Sequence, residues 1–188
     1  MQEDSPQAAS AESIGPDGAE GGSDMLPRRR LSAIMHADLA GYTRLMEGGE
    51  DRTVGHLKSV RADIWRPAIE QAGGRAVNIE GDSVLAEFDS AIAAVAAAID
   101  IQERMARFNS MLEEDHRLMF RIGVHLGEVI VDQETKNIFG DGVNVAARIQ
   151  AMAEPGGIAV SRAVRDVTDH AGGQTPYYKA RSGSSAMG

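Results

Sequence analysis

The sequence predicts an α+β domain, a largely antiparallel sheet with helices packed on one face. Three observations carry that expectation. Apolar runs of strand length alternate with longer stretches whose apolar residues recur at helical spacing. Two pairs of the short runs are separated only by polar turns, Glu80-Gly81-Asp82 and the stretch from Asp132 to Asn137, which favours hairpins over parallel crossovers. With 188 residues, 43% of them hydrophobic, the chain can build one core of ordinary size rather than two.

Leu31 to Leu39 reads as a buried strand. Tyr42 to Met46 starts a helix, and Glu50 to Ala72 forms a long one with Val54, Leu57, Val60, Ile64 and Ile69 on one side. Gly73-Gly74 stops it, as glycine past a helix end commonly does. Arg75 to Ile79 and Ser83 to Phe88 follow as strands. Ser90 is suited to cap a helix running to about Leu112, with Ile92, Val95, Ile99 and Phe108 facing the core. Leu118 to Leu126 is a strong strand, Val129 to Val131 begins its partner, and Asp132 to Asn137 is a polar hairpin tip. Gly140-Asp141-Gly142 leads into a helix through Met152, which Pro155-Gly156-Gly157 breaks. Ile158 to Val160 is a last strand before a short helix from Arg162 to Val167. The order is β-α-α-β-β-α-β-β-α-β-α, within a domain of residues 28–170.

The flanks differ in composition. Residues 1–27 hold too few large apolar side chains to offset the entropy of ordering them, and are expected to form a disordered tail. Residues 171–188 are expected to form a flexible one. Arg28-Arg29-Arg30 marks the domain edge and reads as a solvated boundary rather than a nucleic-acid patch, because the net charge is −9. That charge also argues against an anionic membrane surface. There is no cysteine, so disulfides, zinc thiolates and cysteine nucleophiles are excluded. No apolar run approaches the ~20 residues of a membrane span, and no signal-peptide pattern opens the chain. The expected location is the cytoplasm.

Two aspartates sit where strands meet turns. Asp38 ends the first strand and is followed by Leu39-Ala40-Gly41-Tyr42-Thr43, which opens a helix; Asp82 lies between two strands. Either one alone reads first as a turn former or a helix cap. Together, at the tips of neighbouring strands, they can converge on divalent cations and leave coordination positions for phosphate oxygens. Two cations held about 4 Å apart can activate an attacking oxygen and neutralise a leaving one. The segment after Asp38 adds main-chain N–H groups at a helix start, a natural phosphate cradle.

These stretches resemble the class III adenylate/guanylate cyclase catalytic domain, in its bacterial rhizobial-type subgroup. Ala37 to Thr43 is similar to that family's first metal motif, and Glu80 to Phe88 to its second. Phe120 to Gly127 resembles its central strand and turn, and Ile138 to Arg148 the motif of its transition-state residues. The resemblance covers about residues 28 to 170. It implies the nucleotidyl cyclase fold, a ferredoxin-like, palm-like sheet. It implies that Asp38 and Asp82, with the carbonyl of Leu39, bind two Mg²⁺ or Mn²⁺ ions per site. It gives the phosphates to the amides of Ala40, Gly41, Tyr42 and Thr43 and to Arg121, the ribose to Asn144, and the charge developing at the α-phosphate to Arg148. Asn144 and Arg148 stand i, i+4 and so share a helix face. In such a family the metal aspartates and the Asn/Arg pair come from different subunits, which implies a homodimer completing two sites by symmetry.

The sequence departs from the family's pattern at three places. Adenylate cyclases typically carry Lys four residues before the second metal aspartate and Asp or Thr before the Ile-Phe-Gly segment. Asn78 and Asn137 stand at these two base-reading positions, and an amide can both donate and accept. After His170 no version of the family's final hairpin with its phosphate-binding lysine is evident, and Lys179 sits in no such motif; its loss would lower activity and leave a sheet edge open. The expected function is conversion of ATP to 3′,5′-cyclic AMP and pyrophosphate. The alternatives are a guanylate cyclase acting on GTP, or a degenerate cyclase-like module that binds nucleotide without turnover.

Overall fold

A computed structural model describes residues 28–170. The expected tails, and Lys179 with them, lie outside the described residues. Six strands form one sheet: β1 (Arg28–Leu39), β2 (Arg75–Glu80), β3 (Ser83–Phe88), β4 (Phe120–Val131), β5 (Ile138–Phe139) and β6 (Ile158–Val160). The order is β2-β3-β1-β4-β5, all antiparallel, and β6 joins β4 in parallel. The expected α+β architecture is borne out.

The helices are α1 (Tyr42–Glu47), α2 (Glu50–Val60), α3 (Arg66–Gln71), α4 (Ala91–Asn109), α5 (Asp141–Ala151) and α6 (Arg162–His170). The long helix expected from Glu50 to Ala72 is present but contains a π-helical segment, Arg61–Trp65, between α2 and α3. Pro67 explains it: proline cannot donate to the carbonyl four residues back and its ring crowds that carbonyl, so the ladder widens just before it. Ser90 caps α4 by accepting from the Ala93 N–H at 3.4 Å.

Residues with odd numbers on β1 build the main core. Ala33, Met35, Ala37 and Leu39 pack with Leu57, Val60, Trp65, Ile69, Ala94, Ala98, Ile101 and Phe120, all nearly inaccessible. Trp65 meets Phe120 edge-on, ring centroids 5.0 Å apart. The opposite sheet face carries the even residues of β1, and here the structure adds to the expectation of helices on one face: α5 crosses this second face. Gly123 makes that possible, because a Cβ there would strike the backbone of Gln150 and Ala146. A smaller cluster of Ile34, Val129, Ile138 and Ala146 lies beneath α5.

Two boundaries moved. Arg28-Arg29-Arg30 is the start of β1, paired with Val131, Ile130 and Val129. Two of its three charges have partners: Arg29 donates to Glu128 at 2.6 Å, and Arg30 pairs with Glu87. For the same reason Val129 to Val131 is not the partner of the preceding strand but its continuation, and β5 is the partner.

Candidate active site

Asp38 ends β1 on the second face, paired with Ser83 of β3 on one side and Arg121 of β4 on the other. Asp82 sits beside it. The Leu39 N–H donates to the Asp82 carbonyl at 3.0 Å, so the end of β1 and the β2–β3 turn are tied together at the two aspartates. Gly81 takes φ 61° there, a left-handed conformation that glycine adopts without strain. The Asp38 carboxyl is pushed above its ordinary pKa, first by burial and then by the charge of Asp82, while His36 and Arg121 pull the other way. Two carboxylates crowded at one strand end with only partial compensation form an electrostatic arrangement that a cation relieves.

Among the described residues no group of three or more His, Cys, Asp or Glu side chains is arranged to hold a metal ion. The donor set is the two carboxylates and main-chain oxygen. Hard oxygen donors in that small number suit Mg²⁺ or Mn²⁺, which commonly keep several positions for water and substrate phosphate. The residues therefore fit the metal ions that the resemblance implies.

After Asp38 the chain turns through Gly41, the N-cap of α1, which has no side-chain cap. Leu45 is the first α1 residue whose N–H bonds back, to the Gly41 carbonyl at 3.1 Å. The N–H groups of Tyr42, Thr43 and Arg44 precede any intrahelical acceptor and are available to an anion. Ala40 is a correction: its N–H donates to the Met119 carbonyl at 3.0 Å, because the β1–β4 ladder continues one residue past Leu39, and it drops out of the phosphate-donor set. Gly41 and Thr43 are exposed, and Tyr42 is half-buried against the main core. Arg121 is half-buried, and its Nε is shielded from solvent with no hydrogen-bond partner.

Asn144 and Arg148 are both exposed on α5. Arg148 lies 3.9 Å from Asp141 in an ion pair that is mostly solvated. Neither residue has a hydrogen bond or ion pair to Asp38 or Asp82. Asn78 is exposed on β2, just past a bulge and opposite Leu85. Asn137 is half-buried at the entrance to β5, its carbonyl accepting from the Asp132 N–H at 2.9 Å.

Residues 28–186 match the family model of the adenylate and guanylate cyclase catalytic domain. The chain belongs to this family. Its cyclase domain is 45% identical over 139 residues to "Putative adenylate cyclase 3" of Rhizobium meliloti, covering 74% of this chain and 23% of that protein. It is 33% identical to an adenylate cyclase of Streptomyces coelicolor, covering 72% of this chain and 33% of that one. The chain thus spans a quarter to a third of these curated relatives. Among solved structures, an adenylate/guanylate cyclase/hydrolase from Silicibacter pomeroyi superposes with TM-score 0.71 at 42% identity, covering 78% of this chain and 84% of that one. The guanylyl cyclase Cya2 gives 0.68 at 27%, covering 76% and 80%.

The cyclase domain also holds residues that sequence reading passed over. His36, two before Asp38 and so on the same face, lies near the buried Gln150 of α5; its Nδ1 is shielded without a hydrogen-bond partner, and burial lowers its pKa. His125 lies diagonally from it on β4, lowered by burial and opposed by Asp141. Strand alternation from Asp38 backwards was the signal that could have marked His36. Among the described residues no helix is long and apolar enough to cross a membrane.

Proposed function

We propose that this domain converts ATP to 3′,5′-cyclic AMP and pyrophosphate at sites completed by a second copy of the chain. The observation that carries the reading is the closeness of Asp38 and Asp82, held by the Leu39 N–H to Asp82 carbonyl bond, at the end of the sheet face that α5 also occupies. The reaction is attack of the ribose 3′-oxygen on the α-phosphorus, in line with the departing pyrophosphate, so positioning and charge do most of the work. Mg²⁺ or Mn²⁺ held by Asp38 and Asp82, two per site, would when bound supply the positive charge that acidifies the attacking hydroxyl and neutralises the leaving group.

The chain's own groups do the rest. The amides of Gly41, Tyr42 and Thr43 and the guanidinium of Arg121 hold the β- and γ-phosphates. Asn144 of the other copy orients the ribose, and its neighbour on the helix, Arg148, carries a fixed positive charge to the α-phosphate as negative charge builds there. Exposure of both residues within one copy, neither bonded to the aspartates, supports a twofold homodimer. Asn78 and Asn137 face the base. The names of the relatives favour ATP. GTP is the second reading, favoured by the amides in place of the expected Lys and Asp and by the guanylyl cyclase among the structural neighbours.

The test is incubation with Mn²⁺ and either ATP or GTP, with the product identified by mass. Cyclic AMP as the main product is expected. Predominant cyclic GMP moves the assignment to guanylate cyclase. No product from either nucleotide, with binding retained, leaves the degenerate binding module.

A further inference from the structure

At the other end of the second face lies a cluster for which cyclisation has no evident use. Glu87 is only 5% exposed. Arg75 donates to its Oε1 from Nε at 2.9 Å and from Nη2 at 2.7 Å, and Arg30 donates to the same oxygen. Nη2 of Arg75 also donates to the Lys136 carbonyl at 2.6 Å. That last bond spans the sheet. β2 is one edge of the order, and Lys136 stands at the entrance to β5, at the other.

Lys136 is the one non-glycine among the described residues with positive φ, 59°. Its carbonyl belongs to the peptide group whose N–H is that of Asn137, and this N–H donates to Thr135 Oγ1 at 3.3 Å. The Asp132 carboxylate accepts from the Glu134 and Thr135 N–H groups, each at 2.8 Å, which closes the turn. Arg75 therefore stands three residues before Asn78 and is bonded to the peptide that leads into Asn137.

We propose that Arg75, held by Glu87, is a positioning residue for purine selection: it fixes the 136–137 peptide and so sets where Asn137 stands relative to Asn78. The proposal rests on the reading of those two asparagines as base contacts. A guanidinium suits the task because its planar fork can bond the carboxylate through two N–H groups and still present a donor to the carbonyl. Stability alone explains the cluster poorly, since Oε2 of Glu87 is buried without a partner and buried ion pairs often add little net stability.

The test compares the Kd of ATP with that of GTP by calorimetry on the full chain, with Ca²⁺ as the divalent ion to slow turnover. Arg75→Gln is expected to bring the ATP/GTP affinity ratio closer to one by about 10-fold, since a misplacement of about 1 Å can cost that much or more. Arg75→Lys, which keeps the charge and one donor, recovers part of the ratio. Arg75→Gln adds nothing further to Asn137→Ala, because both act through one contact. A purely structural role would weaken both nucleotides alike and leave the ratio in place, which overturns the proposal. If Asn137→Ala changes the ratio and Arg75→Gln does not, only the positioning role fails. A wild-type ratio near one, or one unmoved by Asn137→Ala, removes the base-contact reading and the proposal with it. Should Arg75→Gln fail to fold, Arg75→Lys and Glu87→Gln carry the same comparison.

Discussion

On one face of the sheet Ala33, Met35, Ala37 and Leu39 are sealed beneath α2, α3 and α4. On the other, Ile34 is buried under α5, but His36 and Asp38 are only partly covered. The first face is apolar and closely packed, with Trp65 set against Phe120. The second gathers Asp38, Arg121, His125, Glu87 and Arg75 onto neighbouring strands, with charges held close and some polar atoms left without partners. Strand alternation produces both from the same segments, since each β1 residue points to the opposite side from its neighbour. The first face supplies stability and rigidity, and the second uses that rigidity to hold like charges together, which an isolated loop could not do.

This contrast can be broken or sharpened by substitution. The largest effect is expected on the second face. Asp38→Ala or Asp82→Ala should lower metal-dependent pyrophosphate release by about a thousandfold or more, the scale of losing a main electrostatic contributor to phosphoryl transfer. Mixing Asp38→Ala with Arg148→Ala chains should then restore roughly a quarter of wild-type activity. Half of the dimers would be mixed, and each would hold one complete site of two. No restoration argues for a site complete within one copy.

On the first face, Trp65→Ala should destabilise the fold by about 3–5 kcal/mol, seen as an earlier denaturant midpoint. A shift below about 1 kcal/mol would mean that this face is not the main source of stability. Gly123→Ala tests the junction between the faces. Its Cβ would press on the α5 backbone, with an expected loss of about 1–3 kcal/mol. Activity should fall as well, since α5 carries Asn144 and Arg148; full activity with an unchanged midpoint would show that α5 is not closely seated.

The smallest effect concerns pH. Burial keeps the folded-state pKa of His125 below its ordinary value, so folding favours the neutral ring. The unfolded chain takes up a proton there as pH falls through about 6.5, and the folded one does so only lower. Stability from this group is full above that range and declines as pH drops through it. His125→Gln should flatten the dependence of Tm on pH between about 7 and 5; an unchanged slope would assign the acid sensitivity to other groups.

Much of this was legible in the sequence. Ser83–Phe88 and Ile158–Val160 follow directly from apolar runs between breakers, and Ser90 marks the start of α4. The Asp38 and Asp82 motifs were recognisable because acidic residues next to glycine-containing turns remain local in sequence. What escaped was non-local. Arg28-Arg29-Arg30 is exposed as expected, but nothing nearby in sequence reveals Glu87 and Glu128 as partners of Arg30 and Arg29, 57 and 99 positions away. The loss of Ala40 as a phosphate donor depended on one extra rung of ladder to Met119.

The sequence alone determined the α+β class, most of the elements and the family, because periodicity, turn chemistry and short motifs are properties of neighbouring residues; the partner of β4 was misplaced by one segment. Only the tertiary structure decided that α5 covers the second face, that a main-chain bond from Leu39 to Asp82 brings the two aspartates side by side, and that Arg75 reaches the turn before Asn137. Each of these depends on strand register and on how the sheet brings distant segments together, and no local pattern encodes that.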